Sequence, residues 1–443
     1  MAERNSRKNR DYSRQLTQLG WYHSFSFPDG TTIQGVQSLA HQVARYQSFG
    51  LPADLRGKRV LDIGSWDGWF AFEAERHGAD VTAVDCVEME NFLHAQRKLG
   101  SKVEYRILDV YELTSSGIGQ FDYVLFLGVL YHLKHPLLAL EMVCSLAAEA
   151  AIIESFVTDG EDWESRQNEI PQMVFYETDE LGGHLDNWYG PSVACLTGLC
   201  RAAGFAQVEI QRADKDTALV VCRRRWENLA PPPGAPAAEL LAVAHSRNYG
   251  INVSAKREDY LTWWFRCQDL QLSASEVFPE VGGLGVPVIY LRFLGNGEWQ
   301  ANTRVPPGLS PGWKSAHLRT LNSGYSAAQR VAVDMAVAAP GPPEVTGLCD
   351  ATDWTPGVVR LTGGGSGYLS MWLRGLTDNA DRNNVAVYLS ETRMKIDFVG
   401  ELDQAGTRQL NMIVPATVGC GEHPATVGFG GFLSKSATCS VVA

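Results

Sequence analysis

Between residues 56 and 222 the chain alternates short, nearly continuous apolar runs with longer stretches whose apolar positions recur at helical spacing. The runs Lys58–Ile63, Asp80–Asp85, Val103–Leu108, Phe121–Phe126 and Ala150–Glu154 predict strands, and Val208–Ile210 and Ala218–Cys222 predict two more. Trp69–His77, with Phe70, Phe72 and Ala74 on its apolar side, Pro136–Ala147 and Val193–Ala203 predict helices between them. Strands alternating with helices imply an α/β fold: a mostly parallel, doubly wound sheet covered on both faces. Gln34–Gly50 predicts a further helix that would lid the crevice at the strand ends. Past residue 230 the pattern changes to short strands and turns, as in all-β sandwiches.

Two Pro/Gly-rich joints, Ala230–Pro236 and Ala338–Pro343, mark linkers. They divide the chain into an N-terminal helical cap (1–55), an α/β domain (56–229) and two β-sandwiches (237–337 and 344–443). The last two share a repeat. Gln300, Asn302, Val305, Pro306 and Gly312 recur 109 residues later as Gln409, Asn411, Val414, Pro415 and Gly421. This pattern resembles the immunoglobulin-like domains of IPT/TIG type, which implies two tandem immunoglobulin-like sandwiches.

The α/β segment contains Asp62-Ile-Gly64-Ser65-Trp66-Asp67-Gly68, then Asp85 at the end of the second predicted strand. Gly64 suits a tight turn after a strand, and Gly68 a helix packed close behind it. Asp85 is placed to accept hydrogen bonds from ribose hydroxyls. A dinucleotide fits poorly, because Trp66 stands where backbone must approach a pyrophosphate and Asp67 would repel phosphate. A nucleoside without phosphate fits better, and S-adenosylmethionine is such a cofactor. In an open α/β sheet the ligand lies outside the carboxyl ends of the strands. Those ends supply Asp62, Gly64, Ser65, Trp66 and Gly68, then Asp85 and Cys86, then Asp109 and Val110, as the cofactor-binding set.

The spacing Asp-x-Gly-x-x-x-Gly, followed by Asp85 and Asp109, is similar to that of class I S-adenosylmethionine-dependent methyltransferases with a Rossmann-like fold. Gly128-Val-Leu-Tyr-His-Leu-Lys-His-Pro136 resembles a motif of the CmoB-like group, which includes enzymes that modify the tRNA wobble uridine with carboxy-S-adenosylmethionine. The likeness runs from about Trp21 to Cys222. It implies that Leu127 and Tyr131 line the sulfonium end of the cofactor. The tRNA enzymes carry basic residues that hold the extra carboxylate. Here Arg45 is the single Lys or Arg between Gly20 and Leu55. A carboxylate without a charged partner is costly to bury, so ordinary S-adenosylmethionine is expected.

Transfer to a hydroxyl benefits from a general base, and His132, Glu154 and His184 are the catalytic candidates. Each has a structural alternative: packing beneath the cofactor or near the next helix start for His132, a hydrogen-bond role for Glu154, and a helix-start segment for the loop that carries His184. The insertion from Thr158 to Tyr189 brings Tyr176, Asn187, Trp188 and Tyr189 as substrate-binding candidates. Trp263, Trp264 and Trp372 are carbohydrate-stacking platforms or sandwich core.

Charge narrows the acceptor. The net charge is −12 over 443 residues. Residues 61–230 hold 13 Lys/Arg against 28 Asp/Glu, whereas residues 1–60 hold nine against four. An acidic catalytic domain argues against a nucleic-acid partner. The expectation is therefore methyl transfer to a small-molecule or sugar hydroxyl. The alternatives are a tRNA wobble-uridine (carboxy)methyltransferase and a non-catalytic scaffold acting through its sandwiches. Nine scattered cysteines without a CxxC pair suggest free thiols in the cytoplasm and no metal site. No apolar run suits a secretory signal or a membrane span. Homo-oligomers through the sandwiches are a further expectation.

Overall fold

The computed structural model describes residues 20–162, 164–165, 170–227, 232–247, 249–256, 259–335, 342–363, 365–376, 380, 382, 385–403, 405–429 and 432–443. The basic stretch before Gly20, parts of both Pro/Gly-rich joints and part of the 158–189 insertion lie outside the described residues. The chain forms two units, residues 1–228 with 306–308, and residues 229–305 with 309–443.

The first unit opens with a small hairpin, β1 (Phe25–Ser26) and β2 (Thr32–Ile33), and helix α1 (Leu39–Ser48). Then follow β3 (Arg59–Ile63), α2 (Trp69–Arg76), β4 (Asp80–Asp85), α3 (Glu90–Leu99), β5 (Glu104–Ile107), the short α4 (Ser115–Ile118) and β6 (Phe121–Leu127). The unit closes with α5 (Pro136–Leu146), β7 (Ala147–Phe156), a ribbon of β8 (Met173–Phe175) and β9 (Tyr189–Pro191), α6 (Val193–Ala202), β10 (Gln207–Asp214) and β11 (Thr217–Arg223). Seven strands form one sheet in the order β10-β11-β7-β6-β3-β4-β5. β3 to β7 are mutually parallel, and β11 and β10 add antiparallel at one edge.

The central strands are apolar on both faces because both faces are covered. Leu61, Val124 and Ile153 join one core with Leu140, Val143 and Leu196 of α5 and α6. Val60, Val81 and Leu125 join the other with Phe70, Phe72 and Phe92 of α2 and α3. Capping follows the sequence: Ser38 and Ser192 accept from the third residue beyond them, and Pro136 starts α5.

Two local expectations are corrected. β7 begins at Ala147, directly at the end of α5, where Ala150 was expected. The N-terminal segment is not an all-helical cap. Pro28-Asp29-Gly30 makes a turn, in which Asp29 accepts from the Thr31 N–H at 3.0 Å, and the β-branched residues after it extend as β2. Phe25, Phe27, Tyr46 and Phe49 are buried with α2, so this segment belongs to the α/β core.

The second unit holds two β-sandwiches. In the first, a four-stranded and a five-stranded sheet enclose Leu261, Trp263, Phe265, Leu318 and Val331. In the second, a four-stranded and a six-stranded sheet enclose Met371, Leu373, Val387, Leu410 and Val427. Trp263 is thus core, whereas Trp264 and Trp372 are half-buried on the outward side. All nine cysteines are free. Among the described residues no helix is long and apolar enough to cross a membrane.

Two glycines in the left-handed region separate backbone from packing. Gly100 (φ 64°) has open space around a would-be Cβ, whereas at Gly68 (φ 86°) the Cβ would meet Phe92 at 2.5 Å and Phe72 at 2.7 Å. Gly100→Ala should cost only the left-handed term, about 1–2 kcal/mol. Gly68→Ala should cost a further ~1–3 kcal/mol from overpacking. Urea titrations of the two variants check the difference, and equal losses would remove the packing role of Gly68.

Candidate active site

The loop after β3 is shaped by buried carboxylates. Gly64 turns with φ 72° and packs on Val129, whose Cγ2 a Cβ at this position would strike. Trp66 adopts φ 54°, a left-handed conformation rare for an aromatic residue. Asp85 holds it there, its Oδ2 accepting from the Trp66 N–H at 3.0 Å. Asp67 is fully buried. Its Oδ2 accepts from the N–H groups of Tyr22 (2.9 Å) and His23 (3.0 Å), and its Oδ1 pairs with the His23 ring. Gln42 of α1 fastens the same strip, accepting from the Ser24 N–H at 2.7 Å.

Asp62 is buried at the end of β3, where the backbone of Ala71 in α2 favours its charged form. Burial first, and the neighbouring Asp85 second, push its carboxyl up to about 7. Burial raises Asp85 as well, against the N–H groups of Trp66, Cys86 and Val87, which favour its charge. Ser65 Oγ and Trp66 Nε1 are buried without a hydrogen-bond partner among the described residues. Buried polar atoms in that state mark a place where a ligand can supply the partner. Cys86 is exposed at the end of β4. Asp109 caps the turn Val110–Glu112, accepting from Tyr111 N–H at 2.9 Å through Oδ1. Val110 is buried in the core, and Leu127 packs against the opposite core.

Beyond β6 and β7 the acceptor side takes shape. Gly128 (φ 75°) turns the chain into Leu130–His132, and Tyr131 is largely enclosed, so that desolvation raises its hydroxyl. Its neighbours include Tyr22, Arg45 and Glu154. The insertion is tied to this turn, since the Trp188 N–H donates to the Tyr131 carbonyl at 2.8 Å. His132 Nδ1 lies 3.3 Å from the Asp186 carbonyl and 3.4 Å from Asp186 Oδ2, and the ring holds the Asp186 carboxyl below its ordinary value. Phe156 links Tyr131 and Tyr176 edge-on, at 6.5 Å from each. Asn187 is buried, its amide donating to Leu181 while Oδ1 has no partner among the described residues. Tyr189 is part of β9, and His184 is exposed.

Glu154 is not free at its strand end. One carboxylate oxygen pairs with Arg45 and the other with Arg212 at 2.9 Å, and Arg212 also pairs with Asp214. Sequence reading missed Asp67, Asp186 and Arg212 as site residues. Asp67 stands inside the glycine loop, but its partners lie 44 and 45 residues earlier without any periodic signal.

Residues 36–210 match the family of methyltransferase domains. They form an S-adenosylmethionine-dependent methyltransferase domain. The tRNA U34 carboxymethyltransferase of Pseudomonas putida (strain W619) is 32% identical over 161 residues, covering 35% of this chain and 48% of that protein. The one of Pseudomonas aeruginosa (strain LESB58) is 32% identical over 159 residues, covering 34% and 46%. The chain spans about half the length of the curated relatives it matches. Among solved structures, the N-terminal domain of EvdMO1 with S-adenosylhomocysteine bound is 22% identical, with a TM-score of 0.35 over 48% of this chain and 96% of that one. A Burkholderia thailandensis 1,6-didemethyltoxoflavin-N1-methyltransferase is 21% identical, with a TM-score of 0.31 over 42% and 81%.

The residues at the methyltransferase strand ends fit this donor. Asp62 and Asp85 offer negative charge to a cation, and Ser65 and Trp66 offer unpaired polar atoms.

Two predictions follow from the buried carboxyls. Asp62 is raised from 3.8 to about 7, so its contribution to stability is complete below 3.8 and is lost as pH rises through about 7. Asp62→Asn should flatten that part of the pH–stability curve. A cationic donor favours the charged form, so donor affinity should rise with pH through about 7 in the wild type and stay level in Asp62→Asn; calorimetry at several pH values reads both. Asp67→Ala strands the buried N–H and ring of His23 and the part-buried N–H of Tyr22, and should cost about 3–5 kcal/mol in urea unfolding. A loss below ~1 kcal/mol would show that the strip is held by its aromatic packing alone.

Proposed function

We propose that the protein O-methylates a neutral small molecule or a sugar hydroxyl. The observation that carries this reading is the charge chain Arg45–Glu154–Arg212–Asp214. Two cations and two carboxylates neutralise one another there, so neither arginine is left for a carboxylated cofactor or a polyanionic acceptor. The acidic 61–230 segment supports the same choice.

S-adenosylmethionine supplies a methyl group already activated on a sulfonium. The protein then has to bind the donor, hold the acceptor in line and remove its proton. Asp85 is assigned to the ribose hydroxyls, Ser65 and Trp66 to the polar atoms beside them, and Leu127 and Tyr131 to the sulfonium end. Asp109 keeps Oδ2 for the adenine amino group while Oδ1 caps its turn. For the base we choose His132. Asp186 turns it through Nδ1, which leaves Nε2 to take the hydroxyl proton. Glu154 is assigned an anchoring role, because both its oxygens are engaged by guanidinium groups. His184, exposed at the loop tip, and Tyr176, Asn187, Trp188 and Tyr189 are read as acceptor contacts. The two sandwiches are read as tandem immunoglobulin-type domains on the strength of their shared repeat.

Four measurements test the reading. Asp85→Ala should lose most S-adenosylmethionine binding by calorimetry, and equal affinity in both proteins would remove that assignment. In direct competition the plain donor should bind more tightly than its carboxy form, and filter binding should find no tight, salt-sensitive tRNA complex. Preference for the carboxy form, or submicromolar tRNA binding that weakens steeply with salt, would restore the tRNA reading. With an acceptor found by screening neutral glycosides for S-adenosylhomocysteine release, His132→Ala should lower kcat by about 10²–10⁴ while donor affinity holds.

A further inference from the structure

The two sandwiches carry the same surface constellation, and the methyltransferase chemistry uses none of it. In the first, Trp264 lies opposite Gln300, and in the next row Thr262 lies opposite Asn302, which faces Tyr290 on the edge strand. In the second, Trp372 lies opposite Gln409, Ser370 opposite Asn411, and Asn411 faces Phe398. The residue on the other side of each tryptophan is small, Ala242 or Gly347. In each copy the glutamine amide donates to the asparagine Oδ1, at 3.4 Å and 2.9 Å. A loop aromatic then closes on each tryptophan. Tyr249 and Trp264 have ring centroids 6.0 Å apart at 38°, and Trp354 and Trp372 have theirs 6.0 Å apart at 37°.

Those loop aromatics adopt φ of 56° and 63°. Each donates its N–H to the carbonyl four residues earlier, that of His245 or Asp350. They are 54% and 58% exposed, so burial does not repay the left-handed backbone. Two copies that differ over most of their length have kept the same strained aromatic over the same tryptophan.

The chemistry suits a sugar. Aromatic faces take the apolar C–H face of a pyranose, as they take other apolar groups. The amide pair leaves a glutamine Oε1 acceptor and an asparagine Nδ2 donor for ring hydroxyls. The positions common to both copies carry no charge, and Arg292, opposite Gln300, belongs to the first copy alone. A neutral ligand is therefore favoured over an acidic one. Two equal sites in one chain suit a repeating ligand better than a single acceptor molecule.

We propose that each sandwich binds a neutral pyranose ring of a polysaccharide on the contiguous aromatic face formed by its sheet-face tryptophan and its loop aromatic, with the Gln–Asn pair reading the hydroxyls.

The test is affinity electrophoresis of the full chain through gels that each contain one polysaccharide: β-glucan, xylan, galactomannan, or polygalacturonate as the anionic comparison. At least one neutral polymer should retard the wild type. Trp264→Ala and Trp372→Ala should each weaken the interaction about tenfold, and the pair together should abolish it. Tyr249→Gly and Trp354→Gly relieve the left-handed backbone, so the fold should keep its thermal stability while retardation falls. S-adenosylmethionine binding should be unchanged in all four variants, which separates this outcome from that of the methyltransferase reading. No retardation by any neutral polymer, stronger retardation by polygalacturonate, or retardation that survives loss of both tryptophans would overturn the proposal.

Discussion

The catalytic half depends on one buried carboxylate. Asp67 has no solvent exposure and is satisfied by two backbone N–H groups and an imidazole, all from residues 22 and 23. An unpaired carboxylate at that depth would cost several kcal/mol, so the loop after β3 and the N-terminal strip can only be right together. The strip brings Tyr22 near Tyr131 and leads to α1, whose Arg45 reaches Glu154. One carboxylate thereby couples the donor loop to the acceptor side.

A second constraint is charge. Asp62 and Asp85 are both buried, and Asp85 adds to burial in opposing the ionisation of Asp62, a costly arrangement that a cationic ligand relieves. At the end of β7, by contrast, every charge in the Arg45–Glu154–Arg212–Asp214 chain has a partner. The donor side is left wanting a cation, while the four charges at the end of β7 offset one another. That asymmetry favours a sulfonium donor with a neutral acceptor.

The regular elements of the α/β half were legible because strands buried on both faces and capped helices leave local signals. Lys58–Ile63, Asp80–Asp85 and Phe121–Phe126 emerged within a residue or so, and Gly64 and Gly68 were explicable as turn and close approach. The N-terminal strip was misread because apolar spacing over Gln34–Gly50 carries no information about Phe25 and Phe27, whose burial is set by contacts with α2. In the site, acidic strand ends were visible, but the partners that decide their roles were not. Glu154 reads as a free base until Arg45 and Arg212, 109 and 58 residues away, close on it. His132 acquires its orienting carboxylate from a loop 54 residues later. In the sandwiches the Gln-x-Asn repeat was visible, yet only the strand register puts a tryptophan beside each glutamine.

Backbone strain joins the two halves of the functional reading. Among the described residues, six that are not glycine have positive φ: Trp66, Tyr249, Asn296, Asp334, Trp354 and Ser390. Asn, Asp and Ser are short polar residues that can offset the left-handed region through local hydrogen bonds, and they need no further cause. The other three are aromatic, the side chains with least reason to be there. Trp66 is held by Asp85 at the donor loop with its indole N–H unpaired. Tyr249 and Trp354 stand exposed over matching tryptophans. Strain of this kind persists where the surroundings over-determine it and where contact with a ligand is the return. All three aromatic cases fall at the places assigned here to a ligand, one to the donor and two to sugar rings.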